Sequence, residues 1–240
     1  MISGKRVLVV VPARGGSKGI PLKNLRLVNG VPLVALVGRV LADLPEVDRA
    51  VVSTDHEEIA MVAEAAGIKA PFRRPESLSG DRIGDLEVLT HALIASEELD
   101  GVTYDIVVML QPTSPLRKPI HIRDCLSKLV AEGWDAMWTV SQTDSKGHPL
   151  KQLTVAGDGA MDYYDPKGAA IIARQQLVPV YHRNGIAYAI TRECLLGQKA
   201  IKGRRTGALV IEGVHVSIDT EQDLMLVEWI SRNLSTGDQG

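Results

Sequence analysis

Between Val9 and Asn24 the chain reads VVVPARGGSKGIPLKN, which places Arg14, Lys18 and Lys23 on a stretch that also carries Gly15, Gly16 and Gly19. Fixed cations on a loop with little side-chain bulk suit an anion held at close range. Glycines let backbone N–H groups approach phosphate oxygens, and the cations offset charge that builds on a departing pyrophosphate. A nucleoside triphosphate is the leading ligand. Two familiar phosphate loops are excluded by spacing. A Walker loop needs Gly-Lys followed by Ser or Thr after a four-residue spacer, and the dinucleotide fingerprint needs G-x-G-x-x-G. The run Gly15-Gly16-Ser17-Lys18-Gly19 satisfies neither. A merely solvated loop is the bland alternative, and the joint choice of residue types argues against it.

The loop needs a rigid support, and the sequence supplies one. RVLVVVP is a continuous β-branched run ending at Pro12, as expected of a strand covered on both faces in a parallel sheet. RAVVSTD, DIVVMLQP and DAMWTVS are further runs of the same kind. Between them lie residues of helical period: Leu33, Leu36, Val37, Val40, Leu41 and Leu44, then Ile59, Val62 and Ala63, then Leu86, Leu89, Leu93 and Ile94. Strands alternating with helices predict a doubly wound α/β fold with a mostly parallel sheet. Ligands of such sheets bind at the carboxyl ends of the strands. The opening loop, Ser53-Thr54-Asp55 and Gln111-Pro112-Thr113-Ser114 therefore belong to one functional edge. The alternation lapses from Gln142 to Arg183, around GDGAMDYYDPKG, which reads as an excursion from the sheet within a single 1–240 domain and as a dimerisation arm. GIAYAIT returns to the core, ALVIEG and HVSID are candidate strands after it, and a helix from about Glu221 closes the fold, with Asp219 or Thr220 as its N-cap.

Composition narrows the classes. Twenty-seven basic against twenty-nine acidic residues give a net charge of −2, which argues against a broad nucleic-acid-binding face. The two cysteines, Cys125 and Cys194, are far apart and lack metal-ligand spacing, so a disulfide framework or zinc site is not indicated and a reducing cytoplasm is expected. The apolar run Val7–Val11 is too short to be a signal core or to span a bilayer, and no membrane association is expected.

These motifs together resemble the acylneuraminate cytidylyltransferases, which make CMP-sialic acid and related CMP-activated sugar acids. PARGGSKGIPLKN is similar to their nucleotide loop, VVSTD and LQPTSPLR to their next motifs, and RNGIAYAI and SIDTEQDL to their late ones, in the family's order from Val7 to Leu224. The resemblance implies a Rossmann-like nucleotidyltransferase fold that uses CTP and Mg²⁺. It implies that Arg14, Gly15, Ser17, Lys18, Lys23 and Asn24 handle the triphosphate, with Arg14 and Lys23 also catalytic, and that Arg74 reads the cytosine edge. A guanidinium is a donor-only fork suited to the O2 and N3 acceptors of cytosine. A surface arginine beside a proline turn is the alternative for Arg74. The resemblance further implies acceptor contacts from Gln111, Lys151, Arg174 and Tyr188, some of them across a homodimer, and makes Asp219 a metal ligand. Lys151 and Arg174 read otherwise as ordinary cations on an exposed arm.

Two departures stand out. The family usually reads Asp-Ile-Asp where this chain reads Ser217-Ile218-Asp219, so one expected metal carboxylate is absent; Asp85 and Glu221 are the nearest candidates for a second. Where relatives place aromatic side chains after the late strand, this chain offers QKAIKGRR, and its one phenylalanine is Phe72. His182 stands where relatives often carry arginine and is given no role. The expected activity is CMP transfer from CTP to a sialic-type nonulosonic acid with release of pyrophosphate. The alternatives are transfer to another small anionic acceptor, such as a phosphonate or another keto-sugar acid, or CTP binding without catalysis.

Overall fold

The computed structural model describes residues 1–237, so the last three residues of the expected 1–240 domain lie outside the described residues. In chain order the elements are β1 (Val7–Pro12), β2 (Leu27–Val28), β3 (Val31–Pro32), α1 (Leu33–Leu41), β4 (Arg49–Ser53), α2 (Glu57–Ala65), α3 (Asp85–Asp100), β5 (Ile106–Met109), α4 (Pro119–Glu132), β6 (Ala136–Gln142), β7 (Leu153–Val155), β8 (Met161–Tyr163), β9 (Tyr181–Thr191), β10 (Thr206–Val210) and α5 (Glu221–Gly237). Six of the strands form the central sheet in the order β10-β6-β9-β5-β1-β4. The pairs β1/β4, β1/β5 and β10/β6 are parallel, and β9 runs antiparallel to both β5 and β6.

The β-branched run at the start is buried on both faces, which is why it shows no polar alternation. Val7, Val9 and Val11 pack with Val34 and Val37 of α1, Ile59 and Ala63 of α2, and Ile122 and Leu126 of α4. Leu8 and Val10 point the other way, into a layer with Leu89, Ala92 and Leu93 of α3. The periodic segments named from the sequence all fall on helices except Leu44, which is buried beyond the end of α1. Helix α4 is not among those segments, although Ile122, Cys125, Leu126 and Leu129 give it a buried face at helical spacing.

HVSID corrects the sequence reading: residues 214–219 form no strand. The segment reaches the structure through one backbone bond, Ile218 N–H to the Thr113 carbonyl at 2.8 Å, and through burial of Ile218 against Ile20, Leu33 and Val227. Helix α5 follows, and of the two candidate caps Thr220 fills the role. Its hydroxyl accepts from Asp223 N–H at 3.2 Å while the Asp223 carboxylate accepts from Thr220 N–H at 2.8 Å, a reciprocal box.

Residues 143–180 leave the main sheet. Within them β7 pairs with β8 as a small antiparallel hairpin whose strand residues are all exposed, and the Thr143 N–H to Val180 carbonyl bond closes the base. Ile172 is 92% exposed, and Val155, Tyr164 and Val178 are also open to solvent.

Candidate active site

The loop after β1 is held to the end of β4 and to the loop that follows it by two hydrogen bonds. Ala13 N–H donates to the Ser53 carbonyl at 3.0 Å, and Gly15 N–H donates to Asp55 Oδ1 at 2.9 Å. Asn24 is buried, and its Nδ2 donates to the Arg14 carbonyl at 3.0 Å, so the end of the loop fixes its beginning. Gly19 lies so close to the chain at Asp219 that a Cβ there would sit 2.6 Å from the Asp219 carbonyl oxygen. Only glycine permits that approach, and through it the opening loop and the segment before α5 share one wall.

That wall bounds a cleft of about 410 Å³ at the carboxyl ends of β1, β4 and β5. Arg14, Ser17, Lys18, Lys23, Asn24, Arg74, Gln111 and Asp219 all line it. Each loop cation has a carboxylate partner. Asp81 accepts from Arg14 at 2.8 Å and from Lys18 at 2.7 Å, and Asp219 accepts from Lys23 at 2.8 Å. Hydrogen bonds from Lys18 and Arg14 hold the Asp81 carboxyl below its ordinary pKa. These pairs neutralise groups that an incoming phosphate would otherwise meet bare. Asp81 was not singled out in the sequence. Its only local signal is an acidic side chain in the glycine-flanked run SGDRIGD, directly after the arginine-proline turn.

Arg74 is buried, at 6% exposure, and is no surface arginine. Its Nε donates to Ser53 Oγ at 3.0 Å and its Nη2 to the Ser53 carbonyl, while its own N–H donates to the Thr54 carbonyl at 2.8 Å. Burial pushes its pKa down to about 10, which leaves it charged at neutral pH. Asp85 faces the same cleft, and there burial raises its carboxyl pKa against the pull of Arg183 and Arg74.

Other expected residues lie elsewhere. Gly15 does not line the cleft but spends its N–H on Asp55. Lys151 is exposed on a short turn of the arm, and Arg174 lines a separate cavity with His148 and His182. Tyr188 is 2% exposed beneath the sheet, where its ring packs near Trp138 and its hydroxyl accepts from Gly185 N–H at 2.8 Å. Of the four acceptor candidates, only Gln111 reaches the cleft of this chain.

The carboxylates define what cation could sit here. Glu221 is taken by Arg26, which donates to both of its oxygens, and does not line the cleft. Asp219 and Asp85 both do, and among the described residues no three His, Cys, Asp or Glu side chains converge on one point. Each is a hard oxygen donor of the kind that Mg²⁺ takes together with ligand phosphates and water, and the two do not make an all-protein cage.

The profile of the family described as Cytidylyltransferase matches residues 8–232. The CMP-N,N'-diacetyllegionaminic acid synthase of Legionella pneumophila is 31% identical over 90% of this chain and 91% of its own. N-acylneuraminate cytidylyltransferase A of Danio rerio is 30% identical over 93% of this chain, which spans about half the length of that larger relative. Among solved structures, a CMP:2-keto-3-deoxy-manno-octonic acid synthetase complexed with CTP superposes with a TM-score of 0.66 at 18% identity, covering 95% of this chain and 99% of its own. That last likeness is one of fold.

Proposed function

The chain belongs to the cytidylyltransferase family, and from that premise we propose that it transfers CMP from CTP to a nonulosonic acid of the sialic or legionaminic type. The observation that carries this reading is the meeting of Arg14, Lys18, Lys23 and Arg74 in one cleft with Gln111 on the facing loop. Arg74, buried and anchored on Ser53, reads the cytosine edge. Arg14, Lys18 and Lys23 take the triphosphate, which replaces Asp81 and Asp219 as their counter-charge. The acceptor hydroxyl, positioned by Gln111, attacks the α-phosphorus in line, its proton is lost to solvent, and pyrophosphate leaves. Lys23 and Arg14 stabilise the charge that collects on the departing oxygens. Lys151 and Arg174 serve the carboxylate of the acceptor in a partner subunit's site, so the working unit is a homodimer. Tyr188 acts on the acceptor side through Gly185, from beneath.

Asp219 and Asp85 would hold Mg²⁺, which supplies neutralisation of the phosphate oxygens when bound. With Ser217 in place of a second aspartate, the requirement for free Mg²⁺ is higher than in an Asp-Ile-Asp relative. The test is a pyrophosphate-release screen of CTP against N-acetylneuraminic, legionaminic, pseudaminic and octulosonic acids and small phosphonates. Release with a nonulosonic acid supports the reading. Release only with an octulosonic acid or a phosphonate moves the acceptor class, and no release with any acceptor leaves CTP binding without transfer.

A further inference from the structure

Arg117 is the last residue of QPTSPLR, and its side chain is withdrawn from solvent. No carboxylate pairs with it among the described residues. Its Nε donates to the Ile186 carbonyl at 3.0 Å, and its Nη2 donates to the Gly185 carbonyl at 2.9 Å and to the Gln111 carbonyl. Nη1 is buried without a partner. A buried cation facing only carbonyl dipoles is a costly way to stabilise a fold, since an apolar residue of similar volume would avoid the desolvation. Burial pushes its pKa down only to about 9, so the charge persists at neutral pH.

What the guanidinium joins is the end of β5 to the bend in β9. Gln111 N–H donates to the Gly185 carbonyl at 3.3 Å, and Ser114 Oγ donates to the Asn184 carbonyl at 2.8 Å. Gly185 has φ +72°, and a Cβ on it would lie 2.3 Å from Ser114 Oγ and 2.6 Å from Gln111 Oε1. The space occupied by the Gln111 carboxamide is therefore space that Gly185 leaves open. We infer that Arg117 and Gly185 form a clamp that fixes Gln111 for the acceptor, which makes Arg117 a positioning residue for acceptor recognition, separate from nucleotide binding. This rests on the reading of Gln111 as an acceptor contact. Lysine cannot replace Arg117, because a single ammonium lacks the planar fork that reaches three carbonyls at once.

The experiment compares Gln111→Ala, Arg117→Lys, Gly185→Ala and the Gln111→Ala/Arg117→Lys pair, using the best acceptor from the screen and measuring kcat/KM for that acceptor and Kd for CTP by calorimetry. Each single variant is expected to lose about tenfold or more in acceptor kcat/KM while CTP affinity stays within about twofold. The double variant should lose no more than Gln111→Ala alone, because both changes act through one side chain. Retained CTP affinity shows that a variant is folded, and Gly185→Ala carries the test if Arg117→Lys does not fold. Loss in Gln111→Ala with no loss in Arg117→Lys or Gly185→Ala overturns the clamp and leaves the function standing. Equal losses in CTP affinity and acceptor kcat/KM also overturn it. An unaffected Gln111→Ala overturns the assignment of Gln111 and the clamp with it, and the absence of any active acceptor removes the reading on which both rest.

Discussion

Asp81 holds two of the cleft's cations at once, and any triphosphate that uses Arg14 and Lys18 competes with it. Asp81→Asn should therefore tighten CTP binding by about threefold or more in calorimetry at low salt, where exposed charge is least screened. Weaker binding would mean that Asp81 orients Arg14 instead of standing in for phosphate. Lys23→Ala should cut kcat by about a hundredfold or more at saturating CTP and Mg²⁺, in the range seen for loss of one donor to a developing charge. Its melting temperature should barely move, because the Lys23–Asp219 pair is exposed on the aspartate side and such pairs add little stability. Asp219→Asn should nearly abolish turnover, and Ser217→Asp should lower the Mg²⁺ concentration for half-maximal rate. A Mg²⁺ titration of each variant checks both. The cations of the opening loop were legible in the sequence because their types and spacing are local. Asp81 and Arg117 were not, because Asp81 meets Arg14 across 67 residues and Arg117 meets Gly185 across 68.

At the scale of elements, the amino end of α4 carries a pH-sensitive contact. His121 is the third residue of that helix; its Nδ1 accepts from Lys118 N–H at 3.2 Å, which requires that nitrogen unprotonated, and its ring meets His215 edge-on at 5.5 Å. Burial, and then the neighbouring His215, Lys118 and Arg117, depress its pKa to about 4, against the pull of Asp124, which raises it. The unfolded chain binds this proton first, near pH 6.5. The stability tied to the neutral ring is thus complete above pH 6.5 and drains away as pH falls toward 4. Melting temperatures measured across that window should fall, and His121→Gln should flatten the fall; an unchanged slope would exclude His121 as its source. Strands β1, β4, β5 and β6 were readable as apolar runs because burial on both faces removes polar residues from a strand. HVSID has the alternation of a strand but no neighbour with which to pair, and pattern alone cannot reveal a missing partner. Helix α4 carries the same signal as the other helices, with Ile122, Cys125, Leu126 and Leu129 at helical spacing, and was legible by the same rule.

At the scale of the molecule, residues 143–180 project apolar side chains that the described chain does not cover. If they join two subunits, light scattering should give a dimer at assay concentrations, and mixing Lys23→Ala with Arg174→Ala in equal amounts should restore activity to at most about a quarter of the unmodified level through hybrid sites, as expected when each active site draws on two chains. A fully active monomer would remove this arrangement. Strand β9 has a consequence for assembly. It sits between β5 and β6, which are neighbours in sequence but not in the sheet, and it contributes the only antiparallel pairings of that sheet. A nascent chain can pair β1 with β4 and with β5 early, but the stretch that joins this half to β6 and β10 does not exist until about residue 191 has been synthesised. Until then Val107, Val108 and Met109 on one side, and Met137 and Trp138 on the other, lie along unpaired strand edges of the kind that draw chains together. A product truncated before Tyr181 keeps those two edges permanently open, and aggregation is its expected fate.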